Sequence, residues 1–170
     1  FAVAGKREVA MNRVALAISN ARLWEAGDAL NLMKIAVEKG VENLLIITPE
    51  ISNQVLNILI ANHRSEDVKL KIFAIQVTEE GLHHNATLDN LCVLTRSTLL
   101  VKMQIHTPAT ATVDDLGYVP RISYEDEMLT VLTGKNASAE LEAEIGSVRR
   151  QLDNLLGDDN EKREFLVKRL

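Results

Sequence analysis

The residues whose types could do chemistry are the pair His83-His84, the acids Asp114 and Asp115, and the single cysteine, Cys92. Two histidines could open a metal site. Neighbouring residues diverge in direction, however, and no carboxylate or cysteine stands at ligand spacing from them, so a solvated loop is the better reading. Two adjacent acids could serve acid/base catalysis. At the head of a short helical turn, in TVDDLG, they more simply complement the positive end of that turn. Cys92 lies in LDNLCVLT, an apolar helical setting that reads as a buried, inert thiol rather than a nucleophile paired with a distant histidine. Neither G-x-G-x-x-G nor G-x-x-x-x-G-K-[ST] occurs, so no phosphate-cradling loop is recognisable. Asn85-Ala86-Thr87 and Asn136-Ala137-Ser138 match a glycosylation acceptor, a pattern short enough to arise by chance.

With no catalytic constellation, the elements that would position a site carry the argument. The 170 residues suit one domain, residues 1–170. A chain of that size can bury roughly 70% of its unfolded surface. Its 46% apolar and 25% charged residues are ordinary for a globular chain. A net charge of -5 and only 4% aromatics argue against a nucleic-acid partner, which needs clustered cations and stacking platforms. No apolar run reaches the about 18 residues that a membrane helix requires. One cysteine excludes an internal disulfide and fits a reducing compartment. The chain opens at Phe1 without a methionine or signal pattern and closes on EKREFLVKRL. Both ends read as cut, which would leave any targeting segment out of view.

In order, Val14–Ser19 reads as a short apolar strand, with Val9–Arg13 pairing to it. Asp28–Lys39 reads as a helix with Leu32, Ala36, Ala29, Met33, Val37 and Leu30 in one arc, and Gly40 suits a left-handed cap past its end. Leu44–Ile47 is a buried strand, followed by a turn at Thr48-Pro49-Glu50 and a helix capped by Ser52. Lys69–Ile75 alternates as a strand, Thr78–Asn85 is a polar loop, Ala86–Leu94 a short helix and Leu99–Met103 a strand. Val119–Tyr124 and Met128–Thr133 form a hairpin turning at Glu125-Asp126-Glu127. Leu141, Ile145, Val148, Leu152 and Leu155 make one helical face, Gly157 breaks it, and a final helix follows the capping acids at Asp158. The class is α/β: mixed β-sheets flanked by helices, with two C-terminal helices.

The helix after Ser52 has an apolar surplus. At 100° per residue, Ile58, Val55, Leu59, Leu56 and Ile60 span an arc of roughly 200°. One core needs a stripe of about 100° or a little more. Either the helix is sandwiched between layers, or the edge formed by Leu56 and Ile60 faces something outside the chain.

Four stretches resemble the apical domain of a GroEL-type (group I) chaperonin. Ala111–Gly134, ATVDDLGYVPRISYEDEMLTVLTG, is similar to that family's "ATLEDLG…hairpin…DG". Asn90–Thr98, NLCVLTRST, resembles "DIATLTGGT"; Asn43–Asn62, NLLIITPEISNQVLNILIAN, resembles "LLIIAEDVEGEALATLVVN"; and Ile145–Gln151, IGSVRRQ, resembles "VAQIRQQ". The resemblance covers about residues 14–170 in the same order.

It implies a GroEL apical-like fold and a polypeptide-binding groove between two helices. The groove residues would be Leu30, Met33 and Val37 on the first helix and Leu56, Ile60 and Ala61 on the second, with Leu30, Met33, Leu56 and Ile60 partly exposed side by side. Partners would be non-native polypeptides or one client, with a co-chaperonin a further possibility and a ring-forming parent. The chain itself would be no enzyme and hold no cofactor, since ATP and Mg belong to an equatorial domain absent here. Departures are visible. The family's "PGFGDRR" is Thr78–His84, TEEGLHH, in this chain; Lys34 and Asn31 replace a Glu and a Pro; and "TGG" is Thr95-Arg96-Ser97. Only Phe1 stands for the aromatic segment beneath the groove. Such divergence points to a mitochondrial chaperonin-like protein, as in fungi, located in the matrix, with the cytoplasm as the alternative. Two other functions stay open: a docking module for one dedicated partner, and a small-molecule α/β enzyme with its site near Asp114 and Asp115.

Overall fold

The computed structural model describes residues 8–153, apart from 66, 68, 78–81, 103–105, 126–127 and 134–136. One six-stranded mixed sheet organises them, in the order β3-β2-β1-β5-β6 with β4 pairing β1 off that path. β1 (Glu8–Ser19), β2 (Asn43–Thr48), β3 (Lys71–Gln76) and β4 (Leu99–Leu100) run parallel. β5 (Gly117–Glu125) and β6 (Met128–Leu132) add an antiparallel hairpin at one side.

β1 corrects the sequence reading of two short strands folded on each other. It is one 12-residue strand. Nothing between Asn12 and Val14 supplies a turn, and both edges find partners elsewhere: β2 on one side, β5 on the other up to Leu16, then β4 at Ile18 and Ser19. The break sensed at Arg13 is real but local. Arg13 takes a left-handed conformation, φ 54°, opposite Pro120, which has no N–H to give the ladder. β4 is also shorter than expected, because Val101 N–H turns to the carbonyl of His106.

The parallel strands are apolar along Val14–Ile18, Leu44–Ile47 and Ile72–Ile75, where both faces of the sheet are covered. α1 (Ala26–Glu38) and α2 (Asn53–Arg64) lie on one face, over Ala15, Ala17, Leu44, Ile46, Ile72 and Ala74. α3 (Leu82–Thr95) covers the other, where Leu88 and Cys92 meet Leu16, Ile18, Leu45, Phe73 and Val119. α4 (Ala137–Asp153) packs on α3, with Val148 buried. The second C-terminal helix, Leu155, Gly157, Phe1, the acids Glu79 and Glu80, and the hairpin tip at Asp126-Glu127 lie outside the described residues. Among the described residues, no helix is long and apolar enough to cross a membrane.

Local chemistry sets the helix ends. Gly40 adopts φ 74° past α1, the conformation a glycine permits without a Cβ clash. Ser52 Oγ accepts from Val55 N–H at 3.2 Å. α1 starts two residues before the expected Asp28, because Asp28 acts from inside the first turn, its Oδ2 accepting from Trp24 and Glu25 N–H. α3 likewise starts at Leu82 rather than Ala86, so His83 and His84 are helical, not in a loop. Polarity alone does not stop a helix; a missing hydrogen bond or a proline does.

Candidate functional site

α1 and α2 follow adjacent parallel strands and pack side by side, with their N-termini at the same end of the sheet. Residues 22–24 and 50–52 join those ends. Leu23 bridges Ile51, Leu23 N–H donates to Glu50 O, Ser52 N–H donates to Leu23 O, and Ser52 Oγ donates to Trp24 O at 2.9 Å. Arg22 closes on Glu50 at 3.1 Å. The spacing of the two helices is therefore fixed at its upper end by a short backbone ladder.

Along these helices, Leu30 and Val37 are 53% and 57% exposed. Seven residues apart, they differ by about 20° around a helix and so share one stripe. On α2, Val55 and Leu59 are fully buried, Ala61 is exposed, and Leu56 and Ile60 are half-buried. Ile58 packs against the α1/α2 core, whereas among the described residues Leu56 and Ile60, both half-buried, join neither core. The surplus arc thus divides: one flank closes the interior, and the Leu56/Ile60 flank stays partly open.

Met33 departs from the expectation. It is 7% exposed and belongs to the core with Leu32, Val55 and Leu59. On the wheel it sits about 60° from Leu30, toward the interior, so the neighbouring helix and sheet enclose it. Lys34, between Leu30 and Val37, faces solvent and pairs with Glu38 at 3.7 Å. Asn31 donates from Nδ2 to Pro108 O and Ala111 O, tying α1 to the loop before β5.

Sequence reasoning missed Trp24. It is the single tryptophan, 55% exposed at the α1/α2 end, with its backbone held from both sides by Asp28 and Ser52. It stands between Leu23, which is fully buried, and Glu25, a setting that does not by itself separate a core indole from an exposed one. His106 was missed as well. Its Nδ1 stands 3.0 Å from Oδ1 of the buried Asp115.

That contact decides the role of the paired acids. Asp115 Oδ2 accepts from Thr112 N–H at 2.8 Å and from Thr112 Oγ1 at 2.9 Å, closing the single 3-10 turn Val113–Asp115. Burial pushes the Asp115 carboxyl up, but the hydrogen bonds from Thr112, Thr98 and His106 outweigh it and hold it below the ordinary carboxylate value. Both oxygens are engaged in holding the turn. Asp114 is exposed and faces the Lys39 ammonium, which donates to Val113 O and Leu116 O and is lowered by burial. The two acids part to separate structural tasks. Cys92 is buried as expected, and burial raises its thiol. The side chains of His83 and His84 lie outside what the structure describes. Among the described residues, no three His, Cys, Asp or Glu side chains gather as a metal site.

No protein-family model matches the sequence. Among solved structures the chain is similar to the chaperonin gp146 from the bacteriophage EL 2 (Pseudomonas aeruginosa), crystallised in presence of ATP-BeFx. In one crystal form the TM-score is 0.73 at 12% identity, over 95% of this chain and 32% of that one. In another the TM-score is 0.71 at 10% identity, over 95% and 31%. The fold is chaperonin-like. This chaperonin-like domain spans about a third of the length of those gp146 chains, whose coverage is 32% and 31%. At 10–12% identity the likeness speaks to architecture, including the mixed sheet and its flanking helices.

Proposed function

We propose that this chain is the apical-type part of a chaperonin-like protein and binds non-native polypeptide along the exposed edges of α1 and α2. The observation that carries this reading is the open apolar edge: Leu30 and Val37 on one helix, Leu56 and Ile60 on its parallel neighbour, outside both cores. An unfolded chain displays scattered apolar side chains, and enclosing one fully contributes roughly 1.5–3 kcal/mol. Few fixed polar partners are required, which suits varied clients. The buried Met33 supplies backing for the edge rather than a contact surface. Exposed Trp24 extends the apolar edge at the end where the helices are tied together.

On this reading the domain works without a cofactor, and ATP with Mg acts in another part of a ring-forming parent. A co-chaperonin would compete for the same edge. A location in the mitochondrial matrix, with a group I origin, rests on the sequence resemblance; organelle fractionation tests it. The functional test is aggregation of a chemically denatured protein, diluted with and without excess domain and with no nucleotide. Suppression that fails for Leu30→Ser/Val37→Ser supports the proposal. No suppression at excess domain overturns passive holding. Saturable binding to one folded partner only would instead identify a dedicated docking module.

A further inference from the structure

At the opposite end of the helix pair, where α2 ends and β3 begins, lies an open concavity of about 730 Å³. Glu42, His63, Arg64, Ser65, Lys69 and Lys71 line it. The whole chain carries -5, yet three permanent cations meet here. Among the described residues, none of Arg64, Lys69 and Lys71 forms an ion pair. Among the described residues, the acids close by are Glu42 in the lining and the exposed Asp67 in the connection, where Glu66 precedes Asp67 in the sequence.

His63 is the built part of this site. Its Nδ1 accepts the backbone N–H of Ile72 at 3.1 Å, which fixes the ring. A neutral ring whose Nδ1 accepts carries its proton on Nε2, so it presents one oriented donor. Burial lowers the His63 pKa, and the Lys71 and Arg64 charges lower it further, against a smaller raising effect of the Ile72 hydrogen bond. β3 is an edge strand, and lysines there are a usual guard against strand pairing. That role does not account for Arg64 and His63, which arrive from α2 and converge on the same space. His63 also occupies the N–H of Ile72, leaving charge rather than backbone pairing as the means of recognition at this point.

We infer that this concavity is a binding site for an extended acidic peptide segment, rich in Asp or Glu. The Arg64 guanidinium can grip a carboxylate in two parallel hydrogen bonds, and Lys69 and Lys71 serve successive carboxylates as point charges. The volume exceeds what one small oxyanion fills, and no Phe, Tyr or Trp stands among the lining residues as a platform for a nucleobase, His63 being the one ring there. Those two facts favour a peptide over a nucleotide. The site lies at the far end of α2, one turn beyond Ile60 of the apolar edge, and is lined by charged and polar side chains where that edge is apolar.

The test is fluorescence anisotropy of a labelled oligoglutamate peptide titrated with the 170-residue chain, with ATP and pyrophosphate as competitors. Expected is saturable binding that weakens steeply as salt rises from about 0.1 M to about 1 M, where screening shortens from about 10 Å to about 3 Å. The exposed-site variant Arg64→Gln/Lys69→Gln should fold normally and bind at least about tenfold more weakly, the worth of one charge-assisted hydrogen bond. Leu30→Ser/Val37→Ser should leave oligoglutamate binding unchanged, which separates this site from the proposed polypeptide edge. Bound carboxylates should raise the His63 pKa, read by NMR of its ring. Absent binding, binding unaffected by the Arg64/Lys69 variant, or displacement of the peptide only by phosphates that themselves bind more tightly would overturn the inference.

Discussion

Leu30→Ser/Val37→Ser tests the apolar edge with little risk to the fold. Both side chains are more than half exposed, so their removal should alter folding stability by no more than about 0.5 kcal/mol, as at ordinary surface positions. Binding should respond far more. Complete burial of such a side chain is worth roughly 1.5–3 kcal/mol, and about half of each is still open to a client, leaving roughly 0.75–1.5 kcal/mol apiece. Two positions far enough apart to act independently then give about 1.5–3 kcal/mol, or roughly 10- to 150-fold in affinity. The assay is anisotropy of a labelled, permanently unfolded polypeptide, paired with thermal unfolding of the variant. Added salt should change the affinity only slightly, because screening acts on charges and not on apolar contact. An unchanged affinity in the double variant, with an unchanged melting curve, would refute the assignment of binding to this edge.

Met33→Ala should behave in the opposite way, costing about 2–5 kcal/mol of stability by leaving a cavity between α1, α2 and the sheet, as a denaturant titration would read. Ser52→Ala removes both the cap on Val55 N–H and the tie to Trp24 O, and should destabilise by about 1–2 kcal/mol in the same titration. Cys92, buried with its thiol pKa raised, should react with a thiol reagent only at the rate of opening; immediate labelling of native protein would contradict its burial. The Asp115 carboxyl has its pKa lowered by folding, so its stabilisation is complete above the ordinary carboxylate value of about 3.9 and is lost as pH falls through its lower folded value. Asp115→Asn should therefore flatten the acid limb of a melting-temperature profile, and an unchanged limb would show that other carboxylates set it.

The alternation and apolar runs of β2, β5, β6 and α2 made those elements legible, because burial imposes a period that composition preserves. Leu56 and Ile60 were legible for the same reason: an arc wider than one core leaves a surplus that can be counted. What failed to read was tertiary. Met33 and Leu30 lie on one apolar arc, and only the position of α2 decides that the first is enclosed and the second is not. Likewise, Val9–Arg13 and Val14–Ser19 are one strand because β5 spans their junction, a pairing more than 100 residues away that no local pattern carries. His106 and Asp115 are nine positions apart with no shared helical or strand period, so their contact needed the turn between them.

Gly117 shows how closely that turn is bound to the frame of the domain. A Cβ built there would stand 2.8 Å from the backbone carbonyl of Thr95 and 3.0 Å from both Ser97 Cβ and Thr95 Oγ1. The first of these is backbone at the end of α3, where Thr95 Oγ1 is already held by Leu91 O at 2.7 Å, so the neighbour has little freedom to yield. Gly117 pairs with Leu16 in the centre of the sheet, and the preceding turn is anchored by Asp115 and Lys39. Added bulk must therefore push α3 away from β5 or shift the ladder at β1. Gly117→Ala should cost about 1–3 kcal/mol, the range for overpacking, and lower the unfolding midpoint without changing the denaturant slope. The clash lies across the sheet from α1 and α2, so client affinity per folded molecule should be unchanged. A Gly117→Ala protein as stable as the parent would mean that α3 and β5 can separate freely, and that the sheet does not hold these helices in fixed relation.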